Sequence, residues 1–292
     1  MTSAPTAPAA QAQGILLMCL GVAMLSVNDA IAKLLTSDYN PLQILFLRNV
    51  IALPFAMGIA AAIGGRAALG SRRPLAHVAR GALWVGATML FFTSLSRLGL
   101  AEATALIFAA PFFITLISAL VLGEIVGWRR WLAVLAGFSG VLVIVRPGGE
   151  AFQPVLLLPV AAAFTYALLM LSARWLDPRD SVWTLLVWLT GTGALLGAIL
   201  VPLVWVPVRA ADLPAFAGIA FFGVAGMTMI TQAFRLAPAV VVAPLDYTGL
   251  LWATLFGWAI WRESPDELTW LGAAIIIASG VATILREQRS AA

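Results

Sequence analysis

Residues 97–146 are echoed later in the chain, and this repetition constrains the fold more than any other feature. Arg97-Leu98, Glu124, Trp131-Leu132, Gly140-Val141 and Arg146 return in order as Arg235-Leu236, Glu263, Trp270-Leu271, Gly280-Val281 and Arg286. Successive markers stand 27, 7, 9 and 6 residues apart in the first copy, against 28, 7, 10 and 6 in the second. The offset is 138 to 140 residues, and self-similarity at a fixed period marks an internal repeat. An apolar span of roughly 20 residues with its loop takes about 28 residues, so the offset holds five spans. An odd number of crossings inserts the second copy upside down, which is the inverted-repeat plan of many secondary transporters.

Composition agrees that most of the chain is solvated by lipid. Hydrophobic residues make up 62% and charged residues 10%, with a mean hydropathy of +1.00, so a water-soluble surface cannot be assembled from these residues. The net charge of +4 comes from arginines scattered at the ends of apolar runs. No basic stripe offers itself to nucleic acid. The single cysteine, Cys19, lies within an apolar run, which excludes an intrachain disulfide or a cysteine-based metal site.

Residues 1–13 are uncharged and rich in Ala, Pro and Gln, and are expected to form a disordered cytoplasmic tail. No basic region precedes residue 14, so the first apolar run is read as a retained span rather than a signal peptide. Spans are expected at residues 14–35, 41–63, 77–96, 99–122, 130–145, 154–175, 182–204, 213–234, 239–261 and 268–285. The expected fold is an all-α integral membrane protein of ten transmembrane helices, with residues 14–146 and 154–286 as two inverted five-helix repeats. Eleven of the 17 basic residues fall on the side of the N-terminus, five on the other, and Arg48 lies within the second span. That excess places both termini in the cytoplasm. Rows of small residues, Ala133 with Gly137, Ala136 with Gly140, and Ala274 with Ala278 and Ala282, let backbones approach closely. The fifth and tenth spans are therefore expected to serve as scaffold or as the seam of a homodimer.

Ionisable groups inside a bilayer are costly and mark function or pairing. Asn28 and Asp29 sit in the first span with Lys33 one turn later, and Arg48 lies in the second. Asp29 and Lys33 can pair along one helix face, with Arg48 as a second partner. The cluster reads either as a structural tie between two helices or as a gate at the outer mouth. Asp246 and Tyr247 fall near the middle of the ninth span between Pro244 and Gly249, while Pro111, flanked by Phe108 and Phe112, lies at a similar depth in the repeat-related fourth span. Prolines free backbone carbonyls there, so this pair of interrupted helices is the first choice for a substrate site. Trp84, Met89, Tyr166, Met227, Thr231 and Gln232 complete the candidate lining, since Met and aromatic surfaces accept varied apolar groups. Glu124 and Glu263 are repeat-equivalent and are expected to bind Arg side chains or loop amides.

The helix ending in Gly123-Glu124, its echo Arg262-Glu263, the Gly-Val pairs of the following spans and Arg48 after Pro41 resemble the EamA-type members of the drug/metabolite transporter superfamily. The chain further resembles the bacterial aromatic amino-acid exporters of that group. The resemblance covers essentially the whole chain. It implies ten helices in two inverted halves and a cavity lined by the first, third, fourth, sixth, eighth and ninth helices, used to export amino acids or related metabolites. One departure is Arg262 where the first copy has Gly123.

These readings converge on a multi-pass bacterial inner-membrane exporter, working by alternating access on amino acids with aromatic or apolar side chains. A multidrug or nucleoside exporter of the same fold, or a selective channel, is the alternative. The expected partners are a small-molecule substrate, membrane lipid and a possible second copy, with no nucleic acid and no cofactor. The lone His77 has no metal-spaced partner, so neither a metal site nor an enzymatic centre is expected.

Overall fold

The computed structural model describes residues 8–123, 127–147, 153–177 and 179–289. Those residues form helices and no strands. In chain order the helices are α1 (Pro8–Leu35), α2 (Pro41–Gly64), α3 (Pro74–Leu95), α4 (Leu100–Ile107), α5 (Ala110–Leu120), α6 (Trp128–Val145), α7 (Leu157–Leu171), α8 (Val182–Leu200), α9 (Leu213–Leu236), α10 (Ala239–Val242), α11 (Gly249–Phe256) and α12 (Glu267–Arg289). Local chemistry sets several starts. Pro41 and Pro74 occupy first-turn positions, where a missing N–H costs nothing. Asn40 and Ser181 cap α2 and α8 by accepting from Leu42 N and Thr184 N.

Seven helical segments are long and apolar enough to cross a membrane, and Val134–Val145 and Glu267–Ala282 are shorter apolar helices. The expected span 239–261 is not one continuous helix. It divides into α10, a 3-10 stretch Ala243–Thr248, α11 and a π-turn Gly257–Trp261, because Pro244 supplies no N–H and its ring crowds the preceding turn. The span 99–122 breaks in the same way between α4 and α5, just before Pro111. Residues 8–13, expected within a disordered tail, are instead the first turns of α1; Ala and Gln are good helix formers and Pro8 stands at the start.

The packing pairs follow a pattern. α1 lies along α9, α2 meets α9, and α1 meets α11; α7 lies along α3, α8 meets α3, and α7 meets α5. Exchanging α1, α2, α3, α5 and α6 for α7, α8, α9, α11 and α12 converts the first three contacts into the second three. The pairs α2 with α8 and α6 with α12 map onto themselves. Gly123 and Arg262, repeat-equivalent in sequence, both hold a left-handed backbone, with φ of 67° and 59°. The arginine thus keeps the conformation that glycine adopts more readily. Glu124, the expected partner-binding glutamate of the first copy, lies outside the described residues.

The α6–α12 contact is a tight seam. A Cβ on Gly140 would lie 2.7 Å from the Gly272 carbonyl oxygen, and one on Gly272 would lie 2.6 Å from that of Gly140. In α12 the packed row is Gly272, Ile276 and Ser279, whereas Ala274 and Ala278 are exposed. The expected alanine row is one residue out of phase with the face that α6 covers.

The core is distributed unevenly along the bundle. Its largest cluster gathers Leu35, Ile44, Phe92, Leu95, Leu100, Ile144, Phe216, Ile219, Leu250 and Ile276, among others, all between mid-depth and the end remote from the N-terminus. Towards the N-terminal end two separate clusters remain. Met18, Val22, Ala233 and Val242 join α1, α9 and α10, and Ala56, Ala60, Trp183 and Val187 join α2 and α8. Apolar packing is therefore continuous towards the far end and divided into two groups at the N-terminal end.

Candidate functional site

The two helix interruptions touch at mid-depth. Phe108, in the turn between α4 and α5, meets Tyr247 edge-on, with ring centroids 5.1 Å apart and planes at 73°. A Cβ on Gly249 would stand 3.4 Å from the tip of Phe108. The break before α11 presents Asp246, whose side chain reaches solvent although protein atoms surround the residue on nearly all sides. A carboxylate at such depth is tolerated only where water or a polar partner reaches it. Tyr166 of α7 lies within electrostatic range of Asp246 and is likewise accessible.

The remaining expected lining residues divide into two groups. Trp84 of α3 carries the Arg48 guanidinium over its ring at 5.3 Å. Met89 and Gln232 are half-buried and Met227 is exposed, while Thr231 spends its hydroxyl on the Met227 carbonyl at 2.7 Å. Tyr247, Pro111 and Phe112 turn elsewhere. The Tyr247 hydroxyl is pressed against Gly280 of α12, so close that a Cβ there would lie 1.6 Å from it. Phe112 stacks on Phe138 of α6 with centroids 5.1 Å apart, and with Pro111 it lines a small crevice against α6 and α12. These three pack behind the broken helices against α6 and α12, whereas Asp246 and Tyr166 are exposed.

The expected charge cluster is rearranged. Asn28 donates to Asp29 at 2.9 Å, and Asp29 and Arg48 interact electrostatically. Lys33 does not pair with Asp29. Its Nζ donates to both carboxylate oxygens of Glu263 at 2.6 Å and to the Leu98 carbonyl at 2.8 Å. Glu263 also accepts from Leu100 N at 3.2 Å, so its expected binding of a loop amide holds while its cation is a lysine. These bonds fasten the end of α1 to the start of α4 and to the turn after α11.

Further contacts stitch the same end. Tyr39 donates to Asp212 at 2.6 Å, Arg209 donates to Asp212 and Asp38 at 2.7 and 2.8 Å, and Gln43 exchanges two bonds with the backbone of Val206. Arg146 donates to Asp266, and Asp266 accepts from the Thr269 N–H at 2.8 Å. The Thr269 bond and the Arg146 guanidinium hold the Asp266 carboxyl down at about 2. A cavity of about 440 Å³ lies among Lys33, Arg97, Glu102, Glu263 and Asp266 at this end. Sequence reasoning missed Asp266 as a tie, although its position three residues before Thr269 is an N-cap signal.

At the N-terminal end, polar bonds join α3 and its preceding loop to the α7–α8 segment. Arg80 donates to the Leu169 carbonyl at 2.7 Å and to Ser172 at 3.0 Å. Ser71 donates to Asp180 at 2.6 Å, and His77 Nε2 lies 2.9 Å from the same oxygen. Among the described residues no group of His, Cys, Asp and Glu is arranged to hold a metal ion.

Comparison with known proteins agrees with this architecture. The chain is 26% identical over 281 residues to an S-adenosylmethionine uptake transporter of Rickettsia prowazekii (strain Madrid E), covering 95% of this chain and 94% of the relative. It is 30% identical over 248 residues to a riboflavin transporter of Rhizobium johnstonii, covering 82% and 78%. It is 26% identical over 274 residues to a pseudopaline exporter of Pseudomonas aeruginosa, covering 92% and 95%. A solved crystal structure shares the fold, with a TM-score of 0.64 at 20% identity over 95% of this chain and 98% of that one. The model of the EamA-like transporter family matches residues 12–146 and again residues 153–285. This multi-pass membrane protein belongs to the EamA-like transporter family.

Proposed function

We propose that the chain is a bacterial inner-membrane exporter of amino acids and amino-acid-headed metabolites with aromatic or apolar side groups, working by alternating access. Its path crosses the membrane ten times, in two inverted five-helix halves, with both termini in the cytoplasm. The exchange pattern of helix contacts, the shared left-handed turn at Gly123 and Arg262 and the excess of basic residues beside the N-terminus support this topology.

The observation that carries the reading is Asp246: an accessible carboxylate at mid-depth, on a stretch of interrupted helix, facing Tyr166. Such a group meets a cationic ammonium, and Tyr166 with the candidate lining residues Trp84 and Met227 takes the apolar or aromatic part. The division of the apolar core into two clusters at the N-terminal end supports a cytoplasm-facing loading state. Rocking of the halves then closes that end and opens the other. The named cargoes of the relatives, S-adenosylmethionine and riboflavin, favour a second reading in which the aromatic part is a nitrogen heterocycle.

The test is flux of labelled phenylalanine and methionine in proteoliposomes, with and without a pH gradient. The panel of competitors extends to riboflavin and S-adenosylmethionine. Saturable amino-acid flux, accelerated by substrate on the opposite side, is expected. Flux that never saturates would identify a channel, and inhibition by heterocycles alone would replace the substrate while keeping the carrier.

A further inference from the structure

A second polar group, remote from the Asp246 contacts, is poorly explained as a structural tie. Arg48 rests between the rings of Trp84 and Phe92, at 5.3 and 6.0 Å from their centroids. A guanidinium offers five N–H donors in a planar fork and stays charged. Among the described residues none of these donors has a hydrogen-bond acceptor, and Asp29 interacts with Arg48 without closing to an ion pair.

Its neighbour is unsatisfied as well. Asn28 is 3% exposed and donates to Asp29, yet its Oδ1 has no partner. Gly223 of α9 makes the room, since a Cβ there would lie 3.0 Å from Asn28 Oδ1 and 3.2 Å from Arg48 Nη2. A buried polar group without a partner is costly, and native folds seldom keep one beside an unpaired guanidinium unless something visits it.

We infer that Arg48 and Asn28 form the subsite for the substrate's carboxylate, with the guanidinium fork taking both oxygens and Asn28 Oδ1 accepting an N–H or O–H from the same end of the molecule. Planar bidentate recognition of an oxyanion is what arginine does better than lysine. The adjacent Asp29 leaves the cluster near neutral, which suits a carboxylate monoanion better than a phosphate dianion. This deepens the reading above and rests on it: because an α-amino acid carries its ammonium and carboxylate on one carbon, Arg48 in the first half of the chain and Asp246 in the second receive the two poles at successive stages of transport rather than together.

The experiment is competition against labelled phenylalanine flux in proteoliposomes, using phenylalanine, phenylalanine amide and inorganic phosphate as probes. In the wild type the acid is expected to compete at least ten-fold better than the amide, and phosphate is expected not to compete. Arg48→Gln should abolish that preference, and Arg48→Lys, which keeps charge and loses the fork, should reduce it to a few-fold. Gly223→Ala should crowd the fork with Arg48 still present and weaken the preference too. Each ratio is internal to one variant, so it is independent of how much carrier folds. An Arg48→Gln carrier that still prefers the acid ten-fold overturns the subsite, and so does a wild type that competes equally with acid and amide. Absence of wild-type amino-acid flux overturns the underlying reading and the subsite with it. Competition by phosphate that is lost in Arg48→Gln would reassign the subsite to a phosphorylated ligand and overturn the carboxylate.

Discussion

Lys33 holds both carboxylate oxygens of Glu263 at 2.6 Å across 230 residues of chain. The ammonium is nearly buried while the carboxylate is partly open to the far-end cavity. Removing one partner from a buried pair strands the other charge and costs about 3–5 kcal/mol. That cost falls on the closed arrangement of the far end, so Lys33→Met or Glu263→Gln should raise the population opened there. In a carrier with Cys19 replaced by serine and Ala30→Cys introduced in the far-end core, labelling by a membrane-impermeant thiol reagent should accelerate at least ten-fold on either change. Exchanging the charges, Lys33→Glu with Glu263→Lys, should recover part of the protection, because the bond to the Leu98 carbonyl is not restored. Unchanged labelling would show that the pair does not hold this end closed.

The α6–α12 seam makes a packing prediction. Gly140→Ala and Gly272→Ala each drive a methyl group onto a backbone carbonyl oxygen of the opposite helix, which cannot swing aside as a side chain can. Overpacking of this kind costs about 1–3 kcal/mol. The double variant should lose less than the sum, because the first methyl already separates the helices. Thermal melting in detergent micelles reads the effect, and a double variant that loses the full sum would mean that the two contacts are independent.

Much of this arrangement was legible in the sequence, and the errors share a cause. Pro111 and Pro244 stand at the two breaks, as a missing N–H and a crowding ring favour, although Pro54 lies inside the continuous α2. Lys33 was misassigned because Asp29, one turn away, is the obvious local partner, whereas Glu263 arrives only through the tertiary fold. Phe112 and Ala274 were misplaced by phase. A break resets which face a following residue presents, so adjacency to Pro111 cannot say that Phe112 turns to Phe138. The unsatisfied fork of Arg48 was also invisible, since one sequence shows which donors exist and not which lack acceptors.

Gly123 offers a test of the shared turn. Its φ is 67°, and a Cβ built on it meets nothing within 4 Å. Any penalty for Gly123→Ala is therefore conformational rather than steric crowding by neighbours. A left-handed backbone costs a residue with a side chain about 1–2 kcal/mol, partly offset by the lower entropy of the unfolded alanine chain. Gly123→Ala should lower the melting temperature by a few degrees while leaving transport intact. Stability equal to the wild type would indicate that residue 123 leaves the left-handed region when a side chain is present.

The Asp266 carboxyl predicts a pH dependence whose sign is fixed. Its folded value is about 2 against an ordinary 3.8, lowered by the Thr269 bond and by Arg146. A group depressed in the fold adds stability that is fully present above its unfolded value and disappears as pH falls through the folded one. Its contribution should therefore be constant above about pH 5 and fade between about pH 4 and pH 2. Because the side chain is 53% exposed, solvent screening limits the ion pair to about 1 kcal/mol. Asp266→Asn keeps an oxygen for the Thr269 N–H and loses the charge together with the oxygen that accepts from Arg146. The melting temperature of the wild type should exceed that of Asp266→Asn by a few degrees at pH 7, and the two curves should converge as pH approaches 2. Asp180 is also held low, its burial outweighed by the Ser71 and His77 bonds, so the wild type loses stability in that window for more than one reason. The difference between the two curves isolates Asp266. A difference that persists undiminished at pH 2 would show that the variant acts through packing of the Arg146 turn rather than through its charge.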